Sequence, residues 1–482
     1  MGTETLNMNE SASASRPPNI LFIIADDHRA TDLGCYGNQD IATPNLDKLS
    51  KQGLTFDNAH CQGAMHPAVC VPSRASIMTG RNIFASSAEP TGGSYYGRSF
   101  DIPDALPTFP EILRENGYQT HCIGKWHNDK SAFHRSFDGG SSLMFGGMSE
   151  HRKVPLHHFD PSGTYPADNI YCDDRFSTDI FSSAAVEFLE GERHKEKPFC
   201  LYLAFTAPHD PRTPPAEFRP GTDELLLPKS VMAAHPFDNG DMRCRDELLA
   251  SLPREDDEMR DHLADYYGMI QHLDAEIGRV LDSLDATGQR ENTLVIYTSD
   301  HGLALGNHGL LGKQNLYQHS VRVPLVFSGP GIPVGQRAAL NTWHGDTFAT
   351  LLDYTGLSIP TCDGESLLPV FADPHSDRNR AVFAAYRYSQ RMVRDARYKL
   401  IRYFPSDHYP KDQLEGNIAP SAGTETTQLF DLQCDPHELD NLIASTELKA
   451  IRAILEARLS QWQIDVGDPL TDLNQDQTVS SV

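Results

Sequence analysis

Three short apolar runs, each ending in a polar cluster, constrain this chain more than any other feature. Asn19–Ala25 reads Asn-Ile-Leu-Phe-Ile-Ile-Ala and runs into Asp26-Asp27-His28; Lys197–Phe205 runs into Thr206-Ala207-Pro208-His209-Asp210-Pro211-Arg212; Thr293–Thr298 runs into Ser299-Asp300-His301-Gly302. Short, unbroken runs of this kind fit strands buried on both faces of a parallel sheet. Ligands of such sheets sit outside the carboxyl ends of the strands, where these clusters fall. Between the second and third runs, Tyr266, Ile270, Leu273, Ile277, Leu281 and Leu284 recur at spacings of three and four and Gly288 follows. That pattern predicts a helix with one apolar face. Strand, helix, strand in this order argues an α/β fold with a doubly wound, mostly parallel central sheet flanked by helices.

A single hydrophobic core rarely extends over 482 residues, so the chain divides. After Gly364-Glu365-Ser366-Leu367-Leu368 the texture changes. Ala381–Tyr386, Arg391–Asp395, Tyr398–Tyr403 and Leu429–Leu432 read as short antiparallel strands, and a helix is expected over 447–462. The expected division is a disordered tail over 1–18, an α/β domain over 19–370 and a smaller α+β domain carrying an antiparallel sheet over 371–482. A segment rich in Pro, Gly, Asn and Ser, 405–427, reads as an exposed loop.

Composition removes several classes of function. The formal charge is −25, from 41 basic and 66 acidic residues, which repels a nucleic-acid backbone as a general partner. Nine cysteines without a C-x-x-C pair argue against a disulfide framework or a structural zinc site. No apolar run reaches the length of a membrane span. The opening residues, MGTETLNMNESASASRPP, have neither a basic nor an apolar leader region. The expectation is a cytoplasmic protein as the chain is given, or a secreted or periplasmic one if a leader was removed.

Asp26, Asp27, Asp300 and His301 come from two strand ends that a parallel sheet can set side by side. Three gathered carboxylates repel one another, and a hard divalent cation resolves the conflict. Oxygen donors suit calcium or magnesium, and one imidazole keeps manganese open. The other informative stretch is Val69–Arg81, VCVPSRASIMTGR. Pro72 disfavours the helical region for Val71, which places Cys70 just outside a helix starting at Ser73. A helix end of that kind attracts anions and lowers a thiol's pKa.

The C-x-P-S-R at Cys70–Arg74, followed by Thr79-Gly80-Arg81, resembles the signature of the type I sulfatases, members of the alkaline-phosphatase-like superfamily. Further matches occur in that family's order: Asp26-Asp27, Gly124-Lys125-Trp126-His127, Ala207-Pro208-His209, Ser299-Asp300-His301-Gly302, Gly312-Lys313 and Val321-Arg322-Val323-Pro324. Leu429-Phe430-Asp431-Leu432 and Asp435-Pro436-His437-Glu438 are similar to its carboxyl-terminal pattern. The resemblance implies that a maturation enzyme oxidises Cys70 to formylglycine. One hydroxyl of the aldehyde hydrate then attacks sulfur, and the second expels sulfate by collapse to the aldehyde. It further implies Asp26, Asp27, residue 70, Asp300 and His301 as metal ligands, with calcium first and magnesium or manganese open. Arg74 steadies the hydrate, Lys125 and Lys313 hold the sulfate oxygens, His127 is the base and His209 the acid.

Two positions depart from the family pattern: His301, where many members carry Asn, and Gln318, where relatives often carry Glu. The implied activity is hydrolysis of a sulfate monoester, most readily one on a sugar. A phosphonate or phosphate ester hydrolase on the same scaffold, and an unmatured sulfated-glycan binding protein, are the alternatives. At −25 the chain repels long polyanions, which favours a short, singly sulfated substrate or a basic cleft. Asp210, Arg212, His344 and Arg387, together with His66, His134, Arg135 and Trp343, lie near motif segments or in the second domain and suit sugar hydroxyls and rings.

Overall fold

The computed structural model describes residues 16–87, 101–191, 197–223, 225–376, 380–409 and 419–471. Residues 1–15 of the expected tail, and 410–418 of the expected loop, lie outside them. The strands, in chain order, are β1 Asn19–Ala25, β2 Leu54–His60, β3 Gly63–Ala64, β4 Gln119–Lys125, β5 Gly139–Met144, β6 Phe199–Ala204 and β7 Thr293–Ser299. They continue with β8 Arg322–Val323, β9 Leu325–Ser328, β10 Gln336–Trp343, β11 Val382–Tyr386, β12 Gln390–Arg394, β13 Tyr398–Tyr403 and β14 Thr426–Asp431.

Among the described residues the large sheet has nine strands in the order β10-β2-β9-β7-β1-β6-β4-β5, with β8 paired to β2. β1 runs parallel to both neighbours, Ile20 opposite Cys200 on one side and Leu294 on the other. β4 pairs parallel with β6 and β5, and β10 with β2, while β9 is antiparallel to β2 and β7. All seven residues of β1 are buried, and alternation divides them between two cores. Ile20, Phe22 and Ile24 face Phe109, Ala75, Met78, Phe348 and Leu351. Leu21, Ile23 and Ala25 face Ile180, Phe181, Met269, Leu273 and Ile277. Burial on both faces explains the absence of polar alternation in this strand, each large side chain contributing about 1.5–3 kcal/mol.

The expected apolar helix is the second half of a longer one, Asp256–Ala286, and Asp256, Asp257 and Glu258 complement the dipole at its start. The smaller sheet runs β14-β13-β12-β11-β3. Its four carboxyl-terminal strands are antiparallel, and Leu455, Leu459 and Trp462 of the helix Lys449–Val466 pack on Val393, Leu400 and Leu429. Its fifth strand, β3, comes from residues 63–64 and pairs parallel with β11, Gly63 opposite Ala385. The second sheet therefore reaches into the segment that leads to Cys70. Among the described residues no helix is long and apolar enough to cross a membrane.

Candidate active site

The carboxyl ends of β1 and β7, the end of β4 and one helix meet at a point. That helix is Cys70–Thr79, so Cys70 opens it instead of preceding it. The sequence expectation gave too much weight to Pro72: in the first turn a proline lacks only an N–H that would have no intrahelical partner. The helix ends at Gly80, whose φ is 68° and whose N–H donates to Ser76 O at 2.9 Å.

Every residue of the helix is buried, and it is held from three sides. Ser73 Oγ donates to Asp300 O at 2.5 Å, Arg74 Nε to Asp300 Oδ2 at 2.9 Å, and Arg74 Nη1 to Lys125 O at 2.9 Å. Arg74, one turn after Cys70, thus ties the helix to the ends of β7 and β4. His344, expected to bind substrate, does something else. Its ring nitrogens meet Ser73 Oγ and Ser299 O, each at 3.0 Å, and with both so committed this buried side chain braces the helix.

Donor atoms of Asp26, Cys70, Asp300 and His301 all lie within 4.8 Å of one another, as do those of Asp26, Asp27 and His209. Asp26 Oδ1 and His301 Nε2 are buried and lack a hydrogen-bond partner. A divalent ion satisfies such orphaned groups, so the residues fit a metal. Asp27 reaches His301 Nδ1 at 3.1 Å and Lys313 Nζ at 2.9 Å, and Lys125 Nζ bonds Asp26. Burial lowers the His301 imidazole, but Asp300 and Asp27 outweigh it and bring it up to about 9.

Cys70 lies beneath the basic groups that the motifs supplied. Lys313 Nζ is 3.6 Å from its sulfur, and His127 and His209 lie close enough to the thiol to perturb it. Burial pushes the thiol up, yet Lys125, Lys313, His301 and His127 together hold it well below the usual range. The His209 ring is anchored through Nδ1, 2.7 Å from Asp210 O and 3.4 Å from Asp210 Oδ1, with Nε2 3.9 Å from Asp27 Oδ2. Burial lowers this ring too, and Asp27 raises it to about 9. Asp27 and His127 have φ of 69° and 58°, left-handed backbone that non-glycine residues adopt at a cost.

The remaining expected residues divide. Asp210 pairs with Arg245 beside His209, which puts it on the wall of the site. Arg212 has its guanidinium 5.9 Å from the Tyr266 ring, and the Tyr266 hydroxyl donates to Asp27 O at 2.6 Å. Arg387, just after β11, is fully buried, its Nη1 3.3 Å from Asp241 and its guanidinium 4.7 Å from the Tyr409 ring. Arg135 bonds Glu111, Leu106 O and Pro103 O and serves the fold. His66 is half-buried and close enough to His127 and Cys70 to feel both. Sequence reasoning missed Arg245, His151, which meets His209 O, and Gly147, where a Cβ would overlap the His127 ring. None carries a local signal, because each reaches the site by tertiary contact.

The profile of the sulfatase family matches residues 18–357. This chain belongs to the sulfatase family. A second profile, for the carboxyl-terminal part of N-sulphoglucosamine sulphohydrolase, matches residues 306–415 of this sulfatase. It is 26% identical to an N-acetylglucosamine-6-O-sulfatase of Bacteroides thetaiotaomicron, over 94% of this chain and 88% of that one. A solved structure described as a complex with its substrate D-glucosamine-2-N,6-O-disulfate superposes with a TM-score of 0.74 at 24% identity, covering 94% and 99% of the two chains. A phosphonate monoester hydrolase from Silicibacter pomeroyi superposes with a TM-score of 0.68 at 22% identity, covering 93% and 95%. These two likenesses show that the sulfatase shares their fold.

Proposed function

We propose that this sulfatase hydrolyses a sulfate monoester on a short sugar, through a formylglycine that a maturation enzyme makes from Cys70. The observation that carries the reading is the buried thiol at the start of a helix, ringed by Lys125, Lys313, His127 and His209 and facing Asp26, Asp300 and His301. The relative acting on N-acetylglucosamine-6-sulfate supports a sugar as the carrier. Asp26, Asp27, Asp300 and His301 would hold calcium, whose preference for carboxylate oxygens suits three Asp side chains, ahead of magnesium or manganese. When bound, the ion supplies a fixed positive charge and makes a hydroxyl at residue 70 more acidic.

The chain's own side chains do the rest. Lys125 and Lys313 neutralise negative charge spreading over the sulfate oxygens. His127 takes a proton at residue 70, and His209 gives one from Nε2 to the leaving alcohol oxygen. Asp210 and Arg245, joined beside His209, offer an acceptor and a donor to hydroxyls of the leaving sugar. Arg212 belongs to the same wall.

The decisive measurement is intact-peptide mass spectrometry across Cys70 from the native host, where maturation removes about 18 Da, combined with turnover of sulfated monosaccharides. Cys70→Ala is expected to abolish turnover, and full activity in that variant would end the nucleophile reading. An unmodified peptide in fully active protein would end it equally. His301 and the structural likeness to the phosphonate hydrolase favour a second reading, cleavage of phosphonate esters. Aryl sulfate and aryl phosphonate assayed side by side separate the two.

A further inference from the structure

A chain of buried side chains behind His209 takes no direct part in the chemistry described so far. His151 is 1% exposed, and its Nε2 lies 2.8 Å from the carbonyl oxygen of His209. A carbonyl only accepts, so His151 carries its proton on Nε2. Its Nδ1 then accepts from Ser177 Oγ at 2.9 Å, and Ser177 Oγ accepts from Thr206 Oγ1 at 2.9 Å. The chain closes on itself, because His209 N–H donates to Thr206 O at 3.1 Å. Ser177 N–H donates to His151 O at 2.7 Å, and the His151 ring stacks on Phe176 at 5.0 Å and 4°. One ring face and both nitrogens are thus constrained, and burial lowers the imidazole to about 4, which keeps it neutral in neutral solution.

This network ties the end of β6 to the amino-terminal turn of the helix Ser177–Glu190. Its output is the position of one backbone carbonyl, that of the residue whose ring carries the acid proton. The opposite end of the His209 residue is fixed by Asp210, through Nδ1. With backbone and Nδ1 both held, Nε2 has a single direction left to point.

We propose that His151 is a positioning residue for the acid: it holds the His209 backbone so that Nε2 meets the leaving oxygen, and it does so in the neutral, Nε2-protonated form imposed by Ser177. The inference rests on the reading of His209 as the group that protonates the leaving alcohol. Such an acid matters when the departing alkoxide is basic, as from a sugar, and matters little for 4-nitrophenolate, which leaves without a proton. A catalytic group displaced by about 1 Å loses on the order of a hundredfold in rate.

The test compares kcat of the full-length, formylglycine-bearing enzyme on a sulfated monosaccharide and on 4-nitrophenyl sulfate. His151→Leu is expected to lose about a hundredfold on the sugar and less than about threefold on the aryl ester. His151→Gln, whose amide N–H can replace the donor to His209 O, is expected to recover most of the loss. Equal losses on both esters, or no loss on either, overturn the proposal. Should the leucine variant fail to fold, Ser177→Ala, which removes the hydrogen bond to Nδ1 together with the one accepted from Thr206, is judged by the same ratio. His209→Ala, measured in parallel, separates the two claims. If it loses equally on both esters, His209 is not the acid; if it is selective and the His151 and Ser177 variants are not, only the present inference falls.

Discussion

At the scale of single residues, this site depends on how closely unremarkable side chains approach the reacting ones. Gly147 is the clearest case. It belongs to no helix or strand, and a Cβ built on it would overlap Nε2 and Cε1 of His127. His127 is half-buried beside Lys125 and Cys70 on left-handed backbone, and its ring must shift to admit the added methyl group. Gly147→Ala is expected to lower kcat by about tenfold or more, through displacement of the base, while leaving the thermal midpoint within about 2 °C. Kinetics and a melting curve on the same preparation check this. A normal kcat would show that the ring moves aside freely.

At the scale of elements, the helix carrying Cys70 is only as well placed as the helix beneath it. His344–Tyr354 packs against it, with Phe348 directly under Gly80, and Asp346 fixes where that supporting helix begins. The Asp346 carboxylate, fully buried, accepts from Trp343 N at 2.9 Å, Thr342 Oγ1 at 2.6 Å, Glu365 N at 2.9 Å and both Nη atoms of Arg380 at 2.7 and 2.9 Å. Asp346→Ala strands Arg380 and removes the cap, at an expected cost of about 3–5 kcal/mol in denaturant unfolding. A change under about 0.5 kcal/mol would mean that water replaces the carboxylate at no penalty. The sequence made elements of this kind legible in proportion to how completely they are buried. β1 and β7 stood out because both of their faces are covered, leaving unbroken apolar runs. The exposed first half of β10 and the mixed pattern of β2 hid a parallel pair, and the acidic first turns of the helix Asp256–Ala286 hid its start. Site residues in contiguous motifs were found, whereas His151, Arg245 and Gly147 were not, because folding alone brings them to the centre. His344 was misread for the same reason: nothing local says that both of its nitrogens are already taken.

At the scale of the whole molecule, histidines outside the reacting centre set how stability responds to acid. His308 stacks on Tyr317 at 3.9 Å and 7°, the His319 ring lies 5.6 Å from both, and His235 Nδ1 donates to His308 O at 2.8 Å. His60 lies against Arg394 at 2.8 Å. Burial is the largest cause in every case: it lowers His235 and His308 to about 4 and takes His60 and His319 well below the usual imidazole range. An imidazole depressed in the folded state binds its proton only on unfolding. Between an unfolded value near 6.5 and a folded value of about 4, the unfolded chain therefore holds more protons, so stability is present above this window and is lost as pH falls through it. Asp241 and Asp274 act in the opposite sense, since burial lifts both carboxyls to about 6, but they are two groups against four in this set. The sulfatase is accordingly expected to lose unfolding free energy steadily from pH 6.5 towards pH 4. His235→Asn isolates one contribution, because the amide N–H can replace the donor to His308 O and cannot titrate. Urea unfolding of both proteins at a series of pH values is expected to show the variant's slope lower by about one proton, roughly 1.4 kcal/mol per pH unit, between pH 5 and 6. Identical slopes would show that His235 binds its proton equally well folded and unfolded, and that its burial has no part in the acid response.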